Sequence, residues 1–503
     1  MVRRTLTVAT TAPSAKCALR GAAADIEYEP VGTAPIKFGT SGWRAVIADQ
    51  FTFANVRLAT AAVADHVLAH TEKPTLLVGC DPRFDSEAFA AEAAAVLSAR
   101  GVRVLLCEGF TPTPAIACEI LRREVDGAIN FTASHNPAEY HGLKFSGADG
   151  APAMPEVTRD IEARAARMAP VPPAHVHRPG AGNGIERVQC REPYLARLRR
   201  VVRFSLLRKA NQPFVYDALH GCGAGYLDQV LKDEGVRVTA IRTERDVLFD
   251  GTGPDVSAEN LRPLSEAVRQ QGGGAAAGLA TDGDADRFGI VDADGSFISP
   301  NHILALVYDY LVETRGRKLG VARSVATSHL LDAVAHVYGL PVYETPVGFK
   351  YIGEYLKQEK IGLGGEESAG LTVHGHVPEK DGILACLLVA EMTAVRRASL
   401  GEQLRTLFRK VGAEFWPLRA NLHLTAEAQA RTLERMRADP REFGGRPVAR
   451  VDRTDGLKMA FADGSWILMR ASGTEPILRV YTEAGTMEAS RQLQAAAESW
   501  IAQ

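Results

Sequence analysis

Three aspartates stand two residues apart in residues 281–289 (TDGDADRFG): Asp282, Asp284 and Asp286. In an extended loop that spacing turns all three carboxylates to one side. Neighbouring anions repel one another and are tolerated where a cation sits among them. Ligands that are all oxygen favour a hard ion such as Mg²⁺. A calcium-binding EF-hand loop is excluded, because its sixth position needs Gly and is Arg287, and its twelfth needs Glu and is Ala293. The plainer alternative is a solvated acidic turn, since Asp is a common turn former.

Four further stretches carry chemistry. Residues 132–137 (TASHNP) follow the apolar stretch 128–131, so Ser134 stands at a strand end, where the sites of α/β sheets lie. Its hydroxyl suits a nucleophile or a phosphate carrier, and His135 beside it suits proton transfer. Taken alone, the stretch reads first as a serine turn or helix cap. Lys144, downstream, adds a fixed positive charge. In residues 364–370 (GGEESAG), glycines let backbone approach a ligand closely, while Glu366 and Ser368 suit hydroxyl groups. Acidic Gly-rich loops are common, so this motif is weak by itself; Lys380 follows in PEKDG. Residues 469–476 (MRASGTEP) gather Arg470, Ser472 and Thr474 around Gly473. An arginine fork, hydroxyls and free N–H groups are what a phosphate dianion needs; the alternative is a surface turn. Residues 38–44 (FGTSGWR) form a Gly/Ser/Thr loop ending in Arg44, as compatible with a plain turn as with a binding loop. There is no Walker loop and no G-x-S-x-G elbow around Ser134 or Ser41, which disfavours ATP-driven transfer and ordinary serine esterases.

These loops need strands to end on. Three segments share an order of apolar strand, helix, Gly and second strand: 75–106, 214–241 and 324–343. Such alternation predicts α/β layers with parallel pairing. From Leu418 the pattern changes to a strand, a helix over 426–439, short strands and a terminal helix over 487–502, an α+β order. The Pro/Gly-rich stretch 169–184 reads as a linker. The length, 503 residues, suits three to five domains of about 100–200 residues each. With 58 Lys+Arg against 60 Asp+Glu the net charge is −2, so the chain lacks the electrostatic footprint of a nucleic-acid binder. No apolar run approaches the ~20 residues a membrane helix needs. The seven scattered cysteines form no Cys-x-x-Cys pair, which fits a reducing, cytoplasmic setting. Residues 1–24 carry four basic residues and no acid until Asp25, and are read as a disordered tail rather than a transit peptide.

Taken together and in order, FGTSGWR, TASHNP, TDGDADRFG, GEESAG and RASGTEP resemble the α-D-phosphohexomutase superfamily over about residues 36–485. The resemblance implies three similar α/β domains followed by a smaller C-terminal α+β domain. The expected boundaries are 1–35 (tail), 36–187, 188–298, 299–410 and 411–503. It implies that Ser134 is phosphorylated, that Asp282, Asp284 and Asp286 with the serine phosphate hold Mg²⁺, and that Lys144, Arg44 and His135 are the candidates for proton transfer and charge stabilisation. Arg287 and, in the 345–348 loop and just after it, Gly348 and Lys350 would contact substrate. Glu366 and Ser368 would hold sugar hydroxyls. Arg470, Ser472, Gly473 and Thr474 would form a distal phosphate site assisted by Lys380. The implied activity interconverts hexose 1-phosphate and 6-phosphate, with glucose 1,6-bisphosphate as activator and intermediate. The GEESAG form favours glucose; mannose and glucosamine phosphates are the alternatives. A metal-dependent phosphatase and a non-catalytic sugar-phosphate sensor are more distant ones. The partners expected are a hexose phosphate and no nucleic acid or membrane, in a monomer or homodimer. His141 and Gly473 stand where many and some relatives, respectively, have Asn.

Overall fold

The computed structural model describes residues 36–172, 184–272, 274, 276–316, 318–471 and 477–502. The expected tail and most of the expected linker lie outside them.

Three sheets repeat one plan. In the first, Thr75–Cys80, Arg103–Cys107, Gly127–Phe131 and Ile185–Val188 run parallel, and Tyr140–Gly147 returns antiparallel beside Gly127–Phe131. Gly42–Val46 and Phe38–Gly39 extend that edge. In the second, Val238–Ile241, Phe214–Asp217 and Ala277–Thr281 are parallel, and Phe288–Asp292 returns beside Ala277–Thr281. In the third, Val342–Thr345, Gly320–Ser324 and Ile361–Glu366 are parallel, and Gly370–Val373 returns beside Ile361–Glu366. The last parallel strands are almost wholly buried, so they read as continuous runs of apolar and small residues. The return strand then forces a short connection at the carboxyl end of the sheet. All three connections turn through a residue with left-handed backbone: Ser134 (φ 53°), Ala285 (φ 57°) and Ala369 (φ 69°). Each costs about 1–2 kcal/mol for an L-residue and persists because its surroundings over-determine it.

The fourth sheet is antiparallel throughout, in the order Trp416–His423, Ile477–Ala484, Trp466–Ala471, Leu457–Ala460 and Arg450–Asp452. The helix Met487–Ala502 packs on it through Leu493, Ala497 and Ile501. The architecture is therefore three similar α/β units followed by a smaller α+β unit.

One detail differs from the sequence reading. The first strand of the third unit lies at Gly320–Ser324 rather than 324–328. Residues after Ser324 turn instead, because Thr327 N–H bonds the Ser324 carbonyl and Ser328 Oγ accepts from Leu330 N–H. Ile185–Val188, on the far side of the expected linker, joins the edge of the first sheet.

The second and third units share one continuous apolar core. The helix Gly382–Arg396 is buried from Gly382 to Ala394 and packs on Ala277–Thr281. Among the described residues no helix is long and apolar enough to cross a membrane. Glu391 on this helix is fully buried. Its carboxylate accepts from the Arg203 N–H (2.6 Å) and Nε (2.8 Å), the Tyr310 hydroxyl (2.7 Å) and Arg315 Nη2 (2.9 Å). Burial works against that charge, but Arg315 and the hydrogen bonds outweigh it and hold the carboxyl below its ordinary 4.5.

Glu391→Leu should therefore lose about 2–4 kcal/mol, read as a lower urea midpoint; both arginines keep some water, so the loss is below that of a wholly buried pair. A depressed carboxyl stabilises above the unfolded value and loses that advantage as pH falls through the folded one. The gap between wild type and variant should thus narrow below about pH 4.5.

Candidate active site

Thr132 Oγ1 accepts the Ser134 N–H at 2.8 Å just beyond the strand Gly127–Phe131. With its left-handed backbone, Ser134 then points its hydroxyl across to the second unit, where Oγ donates to Asp282 Oδ2 at 2.7 Å. Arg83 holds this loop from behind. Its guanidinium donates to the carbonyls of Ser134 (2.6 Å), Asn136 (2.6 Å), Pro137 (2.8 Å) and Tyr140 (3.0 Å). Asp81 supplies the countercharge at 3.2 Å, and both side chains are fully buried. The metal-loop backbone approaches closely: a Cβ on Gly283 would lie 2.7 Å from the Ser134 carbonyl oxygen.

Asp282, Asp284 and Asp286 are buried to within 1 %. One carboxylate oxygen of each lies within 4.8 Å of the others. Asp282 Oδ1 accepts the Arg287 N–H at 3.0 Å. Lys144 Nζ donates to Asp284 Oδ2 (2.5 Å) and Asp286 Oδ2 (2.8 Å), and Lys380 Nζ stands 3.1 Å from Asp286 Oδ2. Asp284 Oδ1 and Asp286 Oδ1 are buried without a hydrogen-bond partner. Two such oxygens are costly in the absence of a cation, and an all-carboxylate donor set fits a hard divalent ion. Burial, then Asp284 and Asp286, push the Asp282 carboxyl well above its ordinary range. Burial also acts upward on Asp286, but Lys144, Lys380 and Arg287 outweigh it and hold that carboxyl low. Burial opposes the Lys144 charge as well, yet Asp284 and Asp286 keep it above its ordinary range.

The third unit closes on the same place. Arg287 bridges to Gly370 by backbone pairing. Glu366 Oε1 accepts the Gly348 N–H at 2.7 Å, and burial followed by Glu367 pushes its carboxyl up to about 7. Ser368 is half-buried in the same turn. Lys380 lies between Asp286 and Glu379, and its stem crosses Gly370, where a Cβ would meet it at 2.4 Å. Lys350 is buried with its ammonium 5.9 Å from the Tyr351 ring centroid; burial lowers its pKa.

Arg44 Nη1 donates to Asn136 Oδ1 at 2.5 Å; burial, then Arg287, lower its guanidinium to about 10. His135 Nδ1 is 3.5 Å from Ser134 Oγ. Removal from bulk water, then Arg287, Arg44 and Arg419, hold its imidazole well below its usual range, so it is neutral at pH 7. Arg470 is fixed by Asp455, whose Oδ1 accepts from Nε at 2.7 Å. Asp455 Oδ2 accepts the Val347 N–H at 3.0 Å, tying Arg470 to the loop that carries Gly348. Ser472, Gly473 and Thr474 lie outside the described residues.

The sequence reading passed over Asp81, Arg83, Glu379 and Asp455. The first two had a signal: opposite charges two apart, directly after a wholly apolar strand, read as a buried pair. Glu379 and Asp455 act on partners from distant segments and carry no local signal. A second cluster, His220, Asp246 and Asp250, is already paired. His220 Nε2 stands 3.1 Å from Asp250, Arg242 is 3.7 Å from the same oxygen, and Asp246 accepts two backbone N–H groups.

Four family models match the chain in order: Phosphoglucomutase/phosphomannomutase alpha/beta/alpha domain I (residues 35–170), domain II (192–295), domain III (299–411) and the C-terminal domain (421–498). A phosphoglucosamine mutase of Renibacterium salmoninarum is 32 % identical, over 91 % of this chain and 96 % of its own. A phosphoglucomutase/phosphomannomutase of Thermococcus kodakarensis is 29 % identical, over 90 % and 96 %. The crystal structure of a candidate phosphomannomutase from Thermus thermophilus superimposes with a TM-score of 0.81 at 32 % identity, covering 94 % of this chain and 100 % of that one.

Arg83→Met should cost about 3–5 kcal/mol, because it strands the buried Asp81 carboxylate and takes a donor from four carbonyls. Arg83→Lys should recover only part, since one ammonium cannot span those acceptors. Urea midpoints measure the loss, and hydrogen exchange should show faster opening of residues 132–140.

Proposed function

Since the chain belongs to the phosphoglucomutase/phosphomannomutase family, intramolecular phosphotransferases of the phosphohexomutase class, we propose that it interconverts hexose 1-phosphate and hexose 6-phosphate through a phosphoserine at Ser134. The observation that carries this reading is the Ser134 hydroxyl, held 2.7 Å from a buried three-carboxylate site.

In the forward half-reaction the Oγ–P bond of phosphoserine breaks as an O–P bond forms to the free sugar hydroxyl. The sugar hydroxyl loses its proton and Ser134 Oγ gains one. Neutral His135 suits the proton-accepting task, while Lys144 and Arg44, both charged at pH 7, neutralise charge on the moving phosphoryl group. Asp282, Asp284 and Asp286 would hold Mg²⁺, which when bound supplies further electrostatic stabilisation of that charge. The resulting bisphosphate turns over and returns its other phosphate to the serine. Arg470, anchored by Asp455, supports a second phosphate position that serves either end of the sugar. The phosphatase alternative has no need of such a position. The 364–370 loop supports glucose as the preferred sugar, with mannose and glucosamine phosphates as competitors.

Phosphorus NMR with Mg²⁺ and a trace of the matching bisphosphate tests this. Glucose, mannose and glucosamine 1-phosphates are offered separately. Growth of a 6-phosphate signal, fastest for glucose, is expected, and Ser134→Ala should remove it by at least about 10³-fold. Free phosphate alone, or an active Ser134→Ala, would contradict the reading.

Glu366 adds a pH signature. Below about pH 7 its carboxyl is neutral and donates to a sugar oxygen; above, it only accepts. The KM of wild type should therefore change through that range. Glu366→Gln, uncharged at every pH, should lack that inflection while keeping the one that belongs to the substrate phosphate.

A further inference from the structure

Thr113 opens the helix Thr113–Arg123 and takes no part in the reading above. Its hydroxyl donates to Asp284 Oδ2 at 2.5 Å, and its backbone N–H donates to the Asp284 carbonyl at 3.0 Å. The Asn130 carboxamide donates to the same hydroxyl oxygen at 2.9 Å. Thr113 and Asn130 are each 4 % exposed, and Asp284 is fully buried. Water therefore does not compete for these bonds.

The chain of donors has one consistent direction. A threonine hydroxyl has a single proton. Asn130 occupies a lone pair of the oxygen, so the proton goes to Asp284. The opposite amide orientation would draw the proton to Asn130 and leave a bare hydroxyl oxygen 2.5 Å from a carboxylate oxygen. Asp284 Oδ2 thus receives two donors, Thr113 and Lys144, while Oδ1 receives none. Rotation of the carboxylate would break both bonds. Oδ1 is left buried and unpartnered, the one acceptor of this carboxylate that is still open.

We propose that Thr113, oriented by Asn130, is a positioning residue that fixes the orientation in which the Asp284 carboxylate is offered to a divalent cation, and so sets the affinity of the site. The inference rests on the triad being a cation site. It also gives Asn130 a role. The residue lies in the wholly buried strand Gly127–Phe131 that leads to Ser134 and pairs with Lys144 across the sheet. The same strand therefore delivers the serine, faces the lysine and orients the hydroxyl that steadies the metal ligand. An apolar residue at 130 would leave the Thr113 proton free to turn.

The test is Mn²⁺ binding to the full-length protein without substrate, followed by electron paramagnetic resonance of the free ion. Outer hydrogen bonds to metal ligands are typically worth 10–100-fold in affinity. Thr113→Val is expected to weaken binding by about 10–100-fold, and Asn130→Leu to weaken it in the same direction by less. Thr113→Ser, which keeps the hydroxyl, should bind within about threefold of wild type. A merely structural tie would lower the melting temperature of Thr113→Val and leave Mn²⁺ affinity unchanged; that result overturns the inference and leaves the cation site standing. A wild type that binds no Mn²⁺ overturns the cation site itself. If Thr113→Val does not fold, Asn130→Leu decides: unaltered affinity overturns the inference, and weakened affinity supports it.

Discussion

Three carboxylates removed from water within 4.8 Å of one another are the constraint on which the site depends. Unopposed, they would repel and protonate rather than stay buried. Lys144 from the first unit and Lys380 from the third meet this repulsion directly, and Arg287 contributes from the loop itself. Even so, two oxygens stay unpartnered. The first three units are therefore tied together by charge where these loops meet. The Ser134 hydroxyl lies against that charge because Arg83, neutralised by Asp81, gathers four carbonyls of its loop.

The geometry that delivers these groups is one device used three times. A buried parallel strand ends, a short connection turns through a left-handed residue, and an antiparallel strand returns. The connection carries a hydroxyl in the first unit, carboxylates in the second, and a carboxyl with a hydroxyl in the third. The sheets fix where each tip stands, and the side chains at the tip fix its chemistry, which is how one layer architecture divides a reaction among copies of itself. The fourth unit brings Arg470 on an antiparallel strand and joins the third through Asp455, which binds Arg470 and the backbone before Gly348.

Much of this was legible in the sequence, because its signals are local. Strands such as 75–80 and 277–281 are uninterrupted runs of apolar and small residues, and TDGDADRFG announces three carboxylates in one short loop, although that loop turns at Ala285 instead of running extended. The terminal helix is likewise encoded by its own periodicity. What the sequence hid depends on contacts between distant segments. Lys380 reaches Asp286 across Gly370, which leaves space for its stem. The merging of the second and third units into one core follows from the helix Gly382–Arg396 packing across both, which no local pattern announces. Residues 325–328, expected to continue a strand from Ser324, turn instead under the Ser324 carbonyl and the Ser328 hydroxyl, which accept from Thr327 N–H and Leu330 N–H.

The central claim is that Ser134, once phosphorylated, and the three aspartates form one site. Electron–nuclear double resonance of Mn²⁺ bound to the phosphorylated protein, free of substrate, tests it most directly. The account predicts a strong ³¹P hyperfine coupling that disappears in Ser134→Ala while Mn²⁺ remains bound. Bound Mn²⁺ with no ³¹P coupling, in a protein shown by mass spectrometry to carry phosphate on Ser134, would contradict it.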